Sequence, residues 1–496
     1  MTRHLVLRPE SVMSSLRLSL VLIVASALSA AAQPAPEAPP ASPASEAPPA
    51  SPAPEASPAS PAPEAPPAPP ASPEPPAPPP LPSLTRADID TIVEARLAAL
   101  PPPESSAGSQ DGAFFIRDDG GFKLRIGAIL QYDGRFFVDD AADKHVDQFA
   151  FRSTRLDLAA TLYDHYDVKL VPDFAGGKLV VQDAYIDARY TSVFKLRFGK
   201  FKVPFGLERL QDERNTTFTE RGFPTQLAPN RDLGVQAFGE LADGQLSYQL
   251  GIFNGVADGG SSDGDVSDDK EGAARVFVKP FVNGPEVVKE LGFGGAATYG
   301  EKHGHLASPD VGSFHTPGQT TFFQFKTGTT TSDTVLADGI HWRATGQAYW
   351  YTGPFGLLGE YVRTQQHLVY GAKHEIAELE AWQVLGQWVI TGEKATYKSV
   401  TPARRFDPSK HQWGAFDVAA RVGELRVVDA GTLNNGFADP TKSARRAWSA
   451  GVGTDWFPNR TFRFVLDVDR TWYTRGAKVG DRPSETSIIG RVQAAF

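Results

Sequence analysis

The chain has 496 residues, no cysteine and a formal net charge of −9, and it is rich in glycine and in phenylalanine, tyrosine and tryptophan. The missing cysteines exclude a disulfide framework, a thiolate metal site and a cysteine nucleophile. The acidic balance argues against a nucleic-acid partner. Abundant glycine and aromatic residues favour strands and turns over helices.

Residues 1–32 have the pattern of a secretory signal peptide. Arginines precede an apolar run at residues 18–28, and Ala30 and Ala32 form an Ala-x-Ala cleavage signal before Gln33. The apolar run is too short to remain as a membrane-spanning helix. We therefore predict export of a mature chain that begins at Gln33 and carries no helical anchor.

Two further segments precede the main domain. Residues 33–82 are almost entirely Pro, Ala, Ser and Glu, a composition that cannot bury a core and that predicts a disordered, extended spacer. Residues 83–103 predict one short amphipathic helix, because Thr85 and Asp88 resemble a capping pair and apolar residues follow at helical spacing until Pro101. Such a helix is marginal alone, so we expect it to self-associate, to pack on another surface or to fray, in the periplasm.

The rest of the chain changes to a period of two. Within residues 122–136, Leu124 and Leu130 occupy even positions, whereas Arg125 and Gln131 occupy odd ones. A strand places successive side chains on opposite faces, so this pattern requires an apolar medium on one side and water on the other. The same alternation returns at residues 155–162, 166–174, 180–190, 341–350, 414–422, 448–456, 462–472 and 488–496.

A soluble β-sandwich also alternates, but its strands are usually shorter than the runs found here. Several runs reach the length that a tilted strand needs to cross a bilayer. Aromatic residues such as Trp350, Trp456 and Trp472 gather near run ends, and the chain closes on Phe496. We predict an all-β fold, a transmembrane antiparallel β-barrel of about 16 strands over residues 111–496.

A barrel of that width leaves a water-filled channel lined by the polar faces of its strands. Residues 320–326 form a possible extra strand, which we assign to a loop. The strand phase directs both signs of charge into the lumen. The basic set is Lys123, Arg125, Arg135, Arg155, Lys169, Arg189, Lys195 and Arg197, and the acidic set is Asp133, Asp157, Asp167, Asp173, Asp183 and Asp187.

A second group of basic residues surrounds Pro204. Its members are Lys195, Arg197, Lys200, Lys202 and Arg209. The alternation breaks between Arg197 and Lys200, which indicates that the chain is leaving the membrane and turning into a loop. A locally positive narrowing would select anions, whereas the same residues on an open rim would only be solvated. Both interpretations stay open.

Several stretches resemble the phosphate-selective porin O/P family. They include GAILQYDGRFF from Gly127, LRFGKFKVPFGLERL from Leu196, TGEKATY from Thr391 and the closing IIGRVQAAF, and together the resemblance covers nearly all of residues 111–496. It implies a 16-stranded homotrimer in the outer membrane of a Gram-negative bacterium. It also implies a basic constriction built partly from inward-folded loops, which passes phosphate or related anions.

Other chemistry has weaker support. The acidic stretch at residues 257–272 could bind Ca²⁺, but its spacing is not that of an EF-hand, and a solvated outer loop is the simpler interpretation. We predict no metal, no cofactor and no enzymatic activity, since no nucleophile elbow or phosphate-cradling loop occurs. Two alternatives remain: a general diffusion porin with little anion preference, and a structural tether between outer membrane and cell wall.

Deleting residues 33–103 should leave the single-channel conductance unchanged, because a Pro-rich spacer and one short helix contribute no strand. Recording from the truncated protein in planar bilayers measures this. A truncated barrel that folds and no longer conducts would show that the helix belongs to the pore.

Overall fold

The structure is a computed structural model. It describes residues 106–110, 113–117, 120–138, 145–265 and 267–496. The signal peptide, the spacer and the short helix lie outside the described residues, so these three assignments stay predictions.

Strands dominate the described chain, and 18 of them form one sheet. The strands are β1 (Ser106–Gln110), β2 (Ala113–Arg117), β3 (Lys123–Val138), β4 (Gln148–Leu162), β5 (Tyr166–Asp173), β6 (Val180–Ala188), β7 (Lys195–Lys202), β8 (Arg231–Leu241), β9 (Leu246–Phe253), β10 (Glu271–Val278), β11 (Glu290–His303), β12 (Ser313–His315), β13 (Thr321–Gln324), β14 (Leu336–Thr352), β15 (Phe355–Tyr370), β16 (Lys373–Val389), β17 (Ala415–Val427), β18 (Ala444–Phe457), β19 (Phe462–Arg475) and β20 (Glu485–Ala495). The helices are the short α1 (Pro224–Leu227), α2 (Glu286–Lys289) and α3 (Gly431–Asn434), with 3₁₀ turns at Ala175–Gly177, Glu213–Asn215 and Pro408–Lys410.

The sheet closes on itself. Each barrel strand pairs antiparallel with the next, and β20 pairs with β3 from Ile129↔Ala495 to Val138↔Thr486. The barrel has 16 strands, as predicted. The β1–β2 hairpin extends the sheet beside the start of β3. The segment at residues 320–326, which we assigned to a loop, contains the strand β13; with β12 it forms a separate two-stranded sheet outside the barrel wall.

The alternation places apolar residues outside and polar residues inside. On β3, Leu130 and Tyr132 are exposed on the outer face, whereas Gln131 and Asp133 are buried on the inner one. Hydrocarbon offers no hydrogen-bond partner to backbone N–H and C=O groups. Because the sheet is closed, these groups on every barrel strand can bond to the neighbouring strands. Among the described residues, no helix is long and apolar enough to cross a membrane.

The aromatic pairs at strand ends divide between the two faces. Trp350 and Trp472 are exposed on the outer surface, while their chain neighbours Tyr351 and Tyr473 are buried inside. Trp472 packs on Trp448 of the adjacent strand, with ring centroids 4.7 Å apart. The predicted aromatic girdle is therefore made by one member of each pair.

The two ends of the barrel differ. The near end, which carries Phe496, has mostly short turns, and the far end has longer loops. Three segments turn into the lumen: the inner loop (residues 203–230) and the hairpin loop (304–335) from the far end, and the near-end segment (390–414). Phenylalanines of both loops form one buried apolar cluster with the inner faces of β15 to β19. This part of the lumen is filled.

The wall also fixes the inner loop by hydrogen bonds. The backbone N–H of Leu207 donates to Glu360 Oε1 on β15 at 2.7 Å, and that of Glu208 donates to Oε2 at 3.3 Å. One carboxylate thus satisfies two backbone donors of a chain that has left the sheet. The loop is held at a defined height inside the barrel.

Arg343 on β14 ties a third loop to the wall. Its Nε donates to Asp258 Oδ1 at 2.6 Å, its Nη1 to Glu271 Oε1 at 2.5 Å and its Nη2 to the Val256 carbonyl at 2.6 Å. The guanidinium is fully buried, and so are both carboxylates. Asp258 and Glu271 therefore do not belong to a solvated loop, which corrects that interpretation for these two residues.

Replacing Arg343 by Met should destabilise the barrel by about 3–5 kcal/mol, because two buried carboxylates lose the guanidinium between them and keep only His341 and Lys302. The temperature at which the folded band disappears on a heat-modifiability gel measures the change. The exposed Arg405 provides the control, since R405M should leave that temperature unaltered. Equal shifts of that temperature for R343M and R405M would contradict the stabilising role of Arg343.

Candidate functional site

An open cavity of about 400 Å³ remains along β3 to β10, where the inward segments do not fill the lumen. Its charged lining is unequal in sign. The cationic side chains are Arg155, Lys169, Arg197, Lys202, Arg214, Arg231 and Arg275, and the anionic ones are Asp157, Asp183, Asp212 and Glu213. A chain that is acidic as a whole therefore has a cavity with more cations than carboxylates.

Ion pairs across neighbouring strands hold several of these cations. Arg155 and Asp173 are register partners on β4 and β5, and Nε donates to Oδ2 at 2.7 Å. Arg197 and Asp187 are partners on β7 and β6, with two hydrogen bonds of 2.7 Å. The mixed lining seen in the sequence is thus an ordered set of cross-strand pairs.

The inner loop contributes carboxylates that face the arginines of the wall. Arg152 Nε donates to Glu220 Oε1 at 2.8 Å, and Arg155 also pairs with Glu213. Burial raises the pKa of Glu213, but the positive charges of Arg155 and Arg152 outweigh that effect, and its pKa lies below the usual range. The Glu213 carboxylate is therefore ionised at neutral pH.

Two cavity cations have neutral partners instead. Lys202 Nζ donates to the Gln211 carbonyl at 2.8 Å, and Arg275 donates to Gln347 Oε1 at 3.0 and 3.2 Å and to Gln249 Oε1 at 3.4 Å. Within the part of the chain that the structure describes, neither forms an ion pair with a carboxylate. Both cations are therefore hydrogen-bonded to neutral amide oxygens of the protein.

Tyr397 limits the cavity from the near end. Its hydroxyl donates to the Leu207 carbonyl at 2.5 Å, and Gln211 Nε2 donates to the Tyr397 carbonyl at 2.8 Å. Its ring stacks on Tyr349, with centroids 5.2 Å apart. Tyr397, from the near-end segment, and the inner loop therefore narrow the lumen together.

A second cavity of about 380 Å³ lies between the wall, the inner loop and the hairpin loop. Arg135, Arg152, Asp133 and Glu220 are its charged lining residues. Arg152 also approaches Glu213 within 3.9 Å. The two cavities are thus separated by contacts between wall arginines and inner-loop glutamates.

The remaining basic residues predicted from the sequence are dispersed. Lys123 and Arg125 lie at the near end beside β2, and Lys195 lies 5.7 Å from the Phe238 ring. Arg189 pairs with Asp167, and Arg209 donates to the Thr225 carbonyl. None of these five lines either of the two described cavities.

The group around Pro204 is divided between two environments. Gly199 has φ +126°, a conformation that side chains disfavour, but the pairing of β7 with β6 and β8 runs through this position without a shift in register. Arg197 and Lys202 line the cavity, whereas Lys200 donates to the Val181 carbonyl at 2.8 Å and pairs with Asp263. The predicted phase break is thus absent from the register of β7, and the residues that we had grouped lie in different environments.

The sequence reasoning missed several lining residues, among them Arg214, Arg231, Arg275 and Tyr397. Arg275 lies between the outward Ala274 and Val276, an alternation that carried a signal for it. Arg214 and Tyr397 lie on irregular segments, where no period applies.

Comparisons with known proteins agree with this geometry. A sequence model of the family "Phosphate-selective porin O and P" matches residues 122–496. The chain belongs to this family. Porin O of Pseudomonas aeruginosa is 24% identical over 370 residues, which cover 68% of this chain and 80% of that protein. The porin O and P assignment places the barrel in the outer membrane and indicates a channel rather than an enzyme.

Two solved structures have a partial likeness to this chain. The outer membrane channel DcaP of Acinetobacter baumannii is 12% identical, covers 76% of this chain and 98% of its own, and has a TM-score of 0.49. An anion-selective porin from Comamonas acidovorans is 11% identical, covers 76% of this chain and 100% of its own, and has a TM-score of 0.47.

Replacing Tyr397 by Ala should increase the single-channel conductance, because it removes a ring from the narrowed lumen of the porin. Replacing it by Phe keeps the ring, loses one hydrogen bond and should leave the conductance close to that of the wild type. Bilayer recordings in the same salt compare the variants. If both substitutions change the conductance alike, the hydrogen bond and not the ring sets the width.

Proposed function

We propose that this porin passes small anions, with phosphate-like solutes among them, by passive diffusion. The observation that carries the proposal is the surplus of cations in the cavity along β3 to β10. Fixed positive charge in a narrow aqueous path between low-dielectric walls acts on a passing ion far more strongly than the same charge on an open rim. The local sign then outweighs the acidic balance of the whole chain.

Carboxylates have a positioning role in this proposal. A guanidinium has five N–H donors, and a carboxylate such as Asp173 or Asp187 occupies only part of them. The rest are free to replace water around an anion. Because a carboxylate occupies some of the N–H donors, each arginine binds an anion only weakly. Conduction requires weak binding, since an ion must leave as readily as it enters. Lys202 and Arg275, with neutral partners, contribute the strongest attraction.

The proposal extends to the assembly and its orientation. Outer-membrane barrels have short periplasmic turns and longer extracellular loops, so the near end with Phe496 faces the periplasm and the far end faces outward. The Pro-rich spacer and the helix predicted at residues 83–103 then precede the barrel on the periplasmic side. We expect a homotrimer, as the family resemblance implies.

Replacing Lys202 by Glu should shift the permeability ratio toward cations and weaken the block of chloride current by phosphate, because the charge in the cavity changes by two units. Reversal potentials across a salt gradient measure the ratio.

The control is Lys270→Glu, on an exposed residue that pairs with Asp265. It reverses the same charge outside the cavity and should change the ratio little, even at low salt. Equal small shifts for both variants, which vanish at high salt, would contradict selection in this cavity and favour a general diffusion porin.

A further inference from the structure

A row of charged residues crosses the outer face of the barrel near its far end. Arg363 on β15, Glu380 on β16, Arg426 on β17 and Arg446 on β18 are successive register partners. Tyr361 precedes Arg363 by two positions and is exposed to the outside, whereas the intervening Val362 is fully buried inside. The row therefore faces the membrane, where apolar residues are expected.

Three carboxylates form ion pairs with the arginines of this row. Arg363 Nη2 contacts Glu378 at 2.9 Å, Arg426 Nη2 contacts Glu380 at 2.7 Å, and Arg446 Nη2 contacts Glu424 at 2.5 Å. The arginine side chains are 41%, 52% and 50% exposed, whereas those of Glu378, Glu380 and Glu424 are 31%, 10% and 8% exposed. The surface that the row presents is thus mainly guanidinium, with one partly exposed carboxylate at Glu378.

Its position corresponds to the headgroup level. Charge on the lipid-facing surface is costly at the bilayer centre and much less so near the interface. Trp448 lies two positions beyond Arg446 and packs on Trp472 of β19, and such outward aromatics mark the interface. The arginines therefore lie where the phosphates of the outer leaflet are found.

The same strands carry an apolar groove closer to the near end. It has a volume of about 920 Å³ and is lined by outward residues that include Leu357, Trp388, Val418 and Val452. Leu357 precedes Arg363 by six positions, which is about 20 Å along a strand. The groove is therefore within the hydrocarbon thickness of about 30 Å.

We propose that Arg363, Arg426 and Arg446 bind the phosphate groups of a phosphorylated glycolipid of the lipid A type in the outer leaflet, with an acyl chain of that lipid in the apolar groove. Guanidinium groups bind phosphate through paired, charge-assisted hydrogen bonds. The buried glutamates orient the arginines before the lipid arrives. The site rests on the orientation proposed above but is separate from the anion path, because it lies on the opposite face of the wall.

Native mass spectrometry of the full-length protein in detergent tests the site with two probes, bisphosphorylated lipid A and its dephosphorylated counterpart. We expect the wild type to prefer the phosphorylated lipid, and R426Q/R446Q to lose about tenfold in affinity for each phosphate contact removed. R404Q/R405Q removes two exposed arginines at the near end and should bind as the wild type does.

Equal binding of both lipids, or equal affinity of all variants, would overturn the proposal and leave the row as a staple between strands. If R426Q/R446Q fails to fold, R426K/R446K keeps the charges but loses the paired geometry, and it should bind the phosphorylated lipid more weakly than the wild type. Reversal potentials of R426Q/R446Q and R426K/R446K should not change, because both residues lie on the outer face of the wall. Weaker lipid binding with an unchanged reversal potential would therefore separate this site from the anion path.

Discussion

Hydrocarbon offers no hydrogen-bond partner, and most of the architecture follows from that constraint. A strand inside the bilayer must pair on both edges, so β20 has to meet β3 and the sheet has to close. Closure creates an interior that lipid cannot reach, and polar residues collect there because the outer face excludes them. A lumen with many buried charges is therefore a consequence of the outer face being apolar, and the porin uses those charges to build its path.

Inside the barrel, buried charged side chains are stabilised by ion pairs with residues of opposite charge. Asp173 and Asp187 fix arginines of neighbouring strands, and Glu213 and Glu220 of the inner loop meet Arg155 and Arg152. Removing one partner of such a pair lowers the free energy of unfolding by far more than the intact pair adds to it. The wall and the inner loop therefore constrain each other. The width of the path is set by this mutual constraint, together with the apolar contacts that fill the opposite side.

The sequence predicted the features that depend only on the alternation of side chains along a single strand. The alternation around Leu130 and Gln131 placed each on its correct face, since side-chain direction in a strand depends only on position. The pairing of Arg155 with Asp173 was not predictable, because it depends on register, and the inward position of Tyr397 depends on contacts with residues such as Leu207 that are distant along the chain.

The closure of the barrel also implies an order of events in time. Gln131 and Gln493 bond at 2.7 Å although they are 362 positions apart, and the inner loop reaches Glu360 from 153 positions away. Contacts of such long range form late and slowly during folding. The inner loop has no place to dock until β15 is in the wall. A barrel in which the inner loop had not docked would have a wider bore, so the final permeability of the pore depends on these long-range contacts.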